Sequence, residues 1–172
     1  DENSSLVIND VTVNATFGCV NAYGTNGSVE INGGTFQMTG VQGKTSHITY
    51  FSSNIVATIN GGTFEKIGDI SMSATGGGGI CVNGGANLTI NGGTFVGPKG
   101  TGADSGKAVN VQAGSKVTIL GGDFSGGKND TIGGAGELIV KGGTFDQNPS
   151  AYLADGYKAE LQANGKYKVV AE

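Results

Sequence analysis

Apolar and polar residues alternate along this chain in short bursts, and the bursts repeat. In "VEINGGTF" (29–36), Val29 and Ile31 alternate with Glu30 and Asn32, the period-two signature of a β-strand. The phrase "INGGTF" returns at 59–64 and 90–95, and near copies follow as "ILGGDF" (119–124) and "VKGGTF" (140–145). An earlier copy, "LVINDVTV" (6–13), aligns Ile8 with Ile31 and Val13 with Phe36. The copies share an anchor at Ile8, Ile31, Ile59, Ile90, Ile119 and Val140, at successive spacings of 23, 28, 31, 29 and 21 residues.

Columns emerge when the copies are laid over one another. Two residues before the anchor lie Leu6, Val29, Ala57, Leu88, Val117 and Leu138. Five residues after it lie Val13, Phe36, Phe64, Phe95, Phe124 and Phe145. Eight residues before it lie Tyr23, Phe51, Val82, Val111 and Ile132. The stretch from minus eight to plus five is thus expected to keep one length, with all variation in the connection after the aromatic. Short strands of this kind cannot bury an apolar face alone, but stacked copies cover one another. The pattern predicts an all-β coiled β-solenoid of about six coils spanning 1–156.

The remaining positions fit that picture. Gly-Gly follows the anchor in five copies and predicts a corner that needs positive φ. Asp10-Val11 stands there in the first copy, so a different corner is expected. Asn9, Asn32, Asn60 and Asn91 precede the corner and predict an asparagine ladder along the stack. Thr58, Thr89 and Thr118 predict one outward ladder, and Thr35, Thr63, Thr94 and Thr144 a second. "YKAELQANGKYKVV" (157–170) predicts two strands joined at Asn164-Gly165, so residues 157–172 are expected to form a capping β-hairpin over the last coil. The first copy has no such cap. An uncapped N-terminal edge is expected either to meet more chain upstream or to self-associate. The segments 37–48, 65–79 and 96–108 are expected to project as loops, the usual carriers of specificity on a rigid stack.

Composition narrows the classes. Gly is 34 of 172 residues without a three-residue period, which excludes collagen. Hydrophobic residues at 37% argue against disorder. The net charge is −4, and all ten basic residues are Lys, so a nucleic-acid partner is not expected. No apolar run is long enough for a membrane span, and the polar "DENSS" start shows no signal peptide. Cys19 and Cys81 fall two coil steps apart at about 4.8 Å per step, beyond disulfide reach of about 7 Å, so free thiols are expected.

The repeats, together with the tail "NPSAYLADGYKAELQANGKYKVV", resemble right-handed parallel β-helix segments, pectate-lyase-like in fold. Such segments occur in large adhesin-like surface proteins of gut Gram-positive bacteria and in phages that infect them. The resemblance implies a single-stranded right-handed parallel β-helix at a bacterial cell surface or on a virion. It implies no single activity.

Candidate chemistry is sparse. The lyases of this fold use Arg, and this chain has none. Hydrolysis would need paired carboxylates about 5–9.5 Å apart. The outward columns hold one acid each, Glu30 and Asp123; the loop residues Asp69 and Asp104 could meet across adjacent connections. His47 has no partner nucleophile beyond the sequence-near Ser46 and Ser52 and is expected at a strand edge. "GTGADSGKA" (100–108) fails as a phosphate loop because Ala108 stands where Ser or Thr should be. No His/Cys cluster has metal-ligand spacing, so neither a cofactor nor a metal is expected. Ligand contact is expected at Tyr50 and Asn110 with Asp69 and Asp104 from the loops. Candidate partners are a glycan or a host or bacterial surface protein. The expectation is a non-catalytic extracellular module acting as stalk or adhesin-like surface. The alternatives are a phage decoration or receptor-binding fibre and a polysaccharide-degrading enzyme.

Overall fold

The computed structural model describes residues 3–40, 46–67, 78–97, 106–126 and 130–172. In chain order its strands are β1 (Ser5–Ile8), β2 (Thr12–Ala15), β3 (Val20–Ala22), β4 (Ser28–Ile31), β5 (Thr35–Met38), β6 (His47–Phe51), β7 (Val56–Ile59), β8 (Thr63–Lys66), β9 (Gly78–Val82) and β10 (Asn87–Ile90). There follow β11 (Thr94–Val96), β12 (Val109–Val111), β13 (Lys116–Ile119), β14 (Asp123–Ser125), β15 (Ile132–Gly134), β16 (Glu137–Val140), β17 (Thr144–Phe145), β18 (Tyr157–Leu161) and β19 (Tyr167–Ala171). A 3-10 turn, Ser150–Tyr152, precedes the last two.

The strands sort into three sheets. The first has the order β1-β4-β7-β10-β13-β16, the second β2-β5-β8-β11-β14-β17-β19-β18, and the third β3-β6-β9-β12-β15. Neighbours in each sheet come from successive repeat copies and run parallel; only β17–β19 and β18–β19 are antiparallel. The chain is therefore all-β, built from stacked parallel sheets as a β-helix-like repeat requires.

Two of the three expected columns hold in every copy. Ile8, Ile31, Ile59, Ile90, Ile119 and Val140 are register partners in the first sheet, as are Leu6 through Leu138 two residues earlier. In the second sheet Val13 lies beside Phe36, and Phe36, Phe64, Phe95, Phe124 and Phe145 follow in order. The rings stack with centroids 4.7, 5.1, 4.8 and 4.8 Å apart and interplanar angles of 5–8°. That separation is the strand spacing itself, so the backbone ladder delivers each ring onto the next in an offset stack worth about 0.5–1.5 kcal/mol per pair beyond burial. All five rings are buried.

The corner is also as expected. The second glycine of each pair takes the positive φ: Gly34 (+112°), Gly62 (+107°), Gly93 (+117°), Gly122 (+109°) and Gly143 (+103°). A Cβ on Gly93 would lie 2.9 Å from the Gly62 carbonyl oxygen, so space as well as conformation demands glycine. The first copy has no positive φ at Asp10 or Val11. Beside the corner, Asn32 Nδ2 donates to Asn9 Oδ1 (3.0 Å), Asn60 Nδ2 to Asn32 Oδ1 (2.6 Å) and Asn91 Nδ2 to Asn60 Oδ1 (2.7 Å).

The third sheet departs from the expected column. Phe51, Val82 and Val111 are register partners, but Ala22 rather than Tyr23 pairs with Phe51, and Ile132 pairs with Val109 while Gly134 takes the place beside Val111. Spacing back from the anchor is thus not constant in the second and last copies. Tyr23 faces solvent as a result, 66% exposed. The loop bounds shift too. Gln37 and Met38 extend β5, with Met38 fully buried, and Gly78 and Gly79 open β9. The central parts of the three expected loops lie outside the described residues.

At the C-terminal end β19 adds to β17 and places Tyr167 beside Phe145. Val169 is buried there and donates its N–H to the Gly143 carbonyl (3.0 Å). Only Gly165 (φ +81°) is left-handed in the turn, and Gln162 N–H donates to the Lys166 carbonyl (2.8 Å). The turn is therefore wider than a two-residue Asn-Gly turn, in which both residues would be left-handed. Leu153 bridges to Val140 on the first sheet. At the other end β1, β2 and β3 are the outermost strands of their sheets, and Leu6, Val7, Val11 and Phe17 are exposed in or beside them.

Because Phe64 is sandwiched between Phe36 and Phe95, Phe64→Ala should destabilise the chain by about 3–5 kcal/mol in urea unfolding. Asn60→Ala in the exposed ladder should cost about 1 kcal/mol. Equal losses in the two variants would contradict the primacy of the ring stack.

Candidate functional site

The expected contact residues Tyr50 and Asn110 both fall on the outer side of the third sheet. They share a column, Asn21–Tyr50–Cys81–Asn110–Gly133, in which Cys81 separates them. Asp69 and Asp104 lie outside the described residues.

The two halves of this outer face differ. Toward the C-terminal end it is closed: Cys81 is 3% and Asn110 4% exposed. A Cβ on Gly133 would meet the Tyr152 hydroxyl at 2.8 Å and Lys107 Cε at 3.3 Å, so these two side chains lie over the column's end. Asn110 is thus placed on the expected face but is not displayed to solvent. Toward the N-terminal end the face is open. Asn21 is exposed, Tyr50 half-buried and Tyr23 largely exposed.

Three rings assemble on the open half. Tyr23 and Tyr50 have centroids 5.3 Å apart at 36°, and His47 stacks on Tyr50 at 5.6 Å and 29°. Asn83 Nδ2 donates to the Tyr50 hydroxyl (2.9 Å). Strict alternation would put His47 and Tyr50 on opposite faces. Instead the consecutive residues Ile48 and Thr49 are both fully buried, which returns Tyr50 to the face of His47. Sequence alternation gave no signal for this pairing, and Tyr23 was hidden by its apparent place in the inward column.

Burial sets the electrostatics. It pulls the His47 pKa from 6.5 down to about 4, so the imidazole is neutral at physiological pH, and its Nδ1 is buried without a hydrogen-bond partner. Cys19 and Cys81 are unpaired thiols, raised by burial to about 11 and about 12. Cys19 Sγ lies 3.3 Å from the Gln37 carbonyl oxygen. Among the described residues no three His, Cys, Asp or Glu side chains gather into a metal site. Asp123 stands between Thr94 and Thr144 and Glu30 between Val7 and Thr58, and Glu30 accepts a bond from Asn60 Nδ2 (3.3 Å). Among the described residues no helix is long and apolar enough to cross a membrane.

No protein-family model matches this chain, and neither a curated protein nor a solved structure does.

Two outcomes follow from the burial of these groups. The His47 pKa is lower folded than unfolded, so the unfolded chain binds more protons between about pH 4 and 6.5. Stability should fall as pH drops through that window, by up to about 3 kcal/mol, and urea titrations of His47→Gln should show a flatter dependence there. Both thiols should resist a thiol reagent at pH 7–8 in the native chain and react on denaturation. Rapid native labelling of Cys81 would contradict its burial.

Proposed function

We propose that this chain is a non-catalytic extracellular module, a right-handed single-stranded parallel β-helix of about six coils that serves as a rigid stalk with an adhesin-like surface. The observation that carries this reading is the unbroken stack of Phe36, Phe64, Phe95, Phe124 and Phe145 under parallel sheets in register. A core that repeats at each strand step holds its outer faces at fixed spacing, which suits a spacer or a display surface. The resemblance of "INGGTF" and the "AYLADGY" tail to bacterial surface β-helices supports an extracellular setting. A glycan or a surface protein is the partner class in keeping with it.

Beads coated with the intact chain test both halves of the reading. They should attach under flow to host-cell layers or glycan-coated surfaces, and leave pectin-like and mucin-like polymers at their original length. Absence of attachment would remove the adhesive role, and release of sugar ends would restore the polysaccharide-degrading alternative.

A further inference from the structure

We infer that the cleft beside Tyr23 is a binding site for the ring of a neutral saccharide. This inference rests on the adhesive half of the proposed function and gives it a place and a ligand class. The cleft runs between the first strands of the third and first sheets and has a volume of about 180 Å³. Tyr23, Asn21, Ser5 and Ser28 line it together with the apolar side chains of Leu6, Val29 and Ile55. Pockets for drug-sized ligands run to roughly 300–1,000 Å³, so this one suits a single ring of a longer chain.

Its chemistry selects among small rings. No lining residue carries a charge. A phosphorylated or carboxylated ligand would enter without a cation to receive it, which is unfavourable for a desolvated anion. What the cleft offers is a tyrosine ring and the aliphatic side chains of Leu6, Val29 and Ile55 next to hydroxyl and amide groups. Ser28 Oγ donates to Ser5 Oγ at 3.1 Å, and each hydroxyl has further bonding capacity; the Asn21 amide brings both donors and an acceptor. A sugar ring presents the matching pair of surfaces, C–H groups on its face and hydroxyls around its rim.

The aromatic wall is also braced from behind. Tyr23 leans on Tyr50, Tyr50 on His47, and the Tyr50 hydroxyl is held by Asn83. Tyr50 and His47 are therefore positioning residues for Tyr23 rather than contacts. Gly27 is tight for a structural reason of its own: a Cβ there would lie 2.9 Å from Ile55 Cδ1 and 3.2 Å from the Ser4 carbonyl oxygen. An ordered ring needs no further immobilisation on binding, which is how preorganised sites gain affinity.

The test uses the intact chain, an array of neutral gluco-, galacto-, manno- and N-acetylglucosamine oligosaccharides with sialylated and uronic-acid counterparts, and tyrosine fluorescence titration, which the lack of Trp leaves unobscured. At least one neutral family should bind saturably. Tyr23→Ala should weaken it about tenfold or more, and Tyr23→Phe, which keeps the ring, should stay within about twofold. Asn21→Ala should weaken it severalfold. Tyr23 and Asn21 are exposed, so circular dichroism of both variants should match the parent, and loss of the Tyr23–Tyr50 contact should lower the melting temperature by no more than about 2–4 °C. The inference is overturned if no saccharide binds, if only charged ones bind, or if Tyr23→Ala binds as the parent does. Bead attachment that survives Tyr23→Ala would sink the cleft and leave the adhesive module standing. Neutral-sugar binding by a chain whose beads never attach would do the reverse.

Discussion

A strand of three to five residues has one apolar face and no means of covering it by itself. In this chain the next copy covers it, and that dependence organises everything else. Each inward side chain must lie over its equivalent one strand step away, so the columns must be apolar in every copy and the strands must pair in register. The phenylalanine column shows how tight the requirement is. Its rings are separated by the strand spacing and are nearly coplanar in orientation, so a slip of one residue would turn the whole column outward. The Gly-Gly corner and the asparagine ladder serve the same end, the first by allowing copies to bend alike at close approach, the second by tying their bends together outside the core.

The first and second sheets were legible in the sequence because a constant eight-residue phrase, with a strand on each side of a fixed corner, carries both of them. Ile31 to Phe36 is one rigid unit, and counting along it cannot go astray. The third sheet was legible only in the middle copies. Its strands are reached through spacers that differ in length: Ala22 stands nine residues before Ile31, Phe51 eight before Ile59 and Gly134 six before Val140. Tyr23 and Ile132 were misplaced for that reason. The same sheet breaks alternation at Ile48 and Thr49, so the proximity of His47 to Tyr50 depended on a local irregularity that no period-two rule encodes.

That irregular sheet is also where the surface becomes distinctive. The first and second sheets present threonines and asparagines in repeated columns, the expected dress of an exposed strand. The third gathers the neutral, half-buried imidazole of His47, two tyrosines and two asparagines on its open half, and shuts its other half beneath Lys107 and Tyr152. A scaffold fixed by repetition is thus free to vary where repetition relaxes, which is the general logic of sites grafted on stable folds. The two ends differ in a related way. The hairpin strands β18 and β19 finish the second sheet at one end, whereas β1, β2 and β3 are outermost at the other, with several exposed apolar side chains in or beside them.

The stacking in register can be read directly from contacts between aromatic rings in solution. With phenylalanine ring protons assigned, nuclear Overhauser effects should link Phe36 to Phe64, Phe64 to Phe95, Phe95 to Phe124 and Phe124 to Phe145, with no direct effect between Phe36 and Phe95. Loss of that nearest-neighbour chain, or effects joining Phe36 to Phe124 instead, would contradict the account.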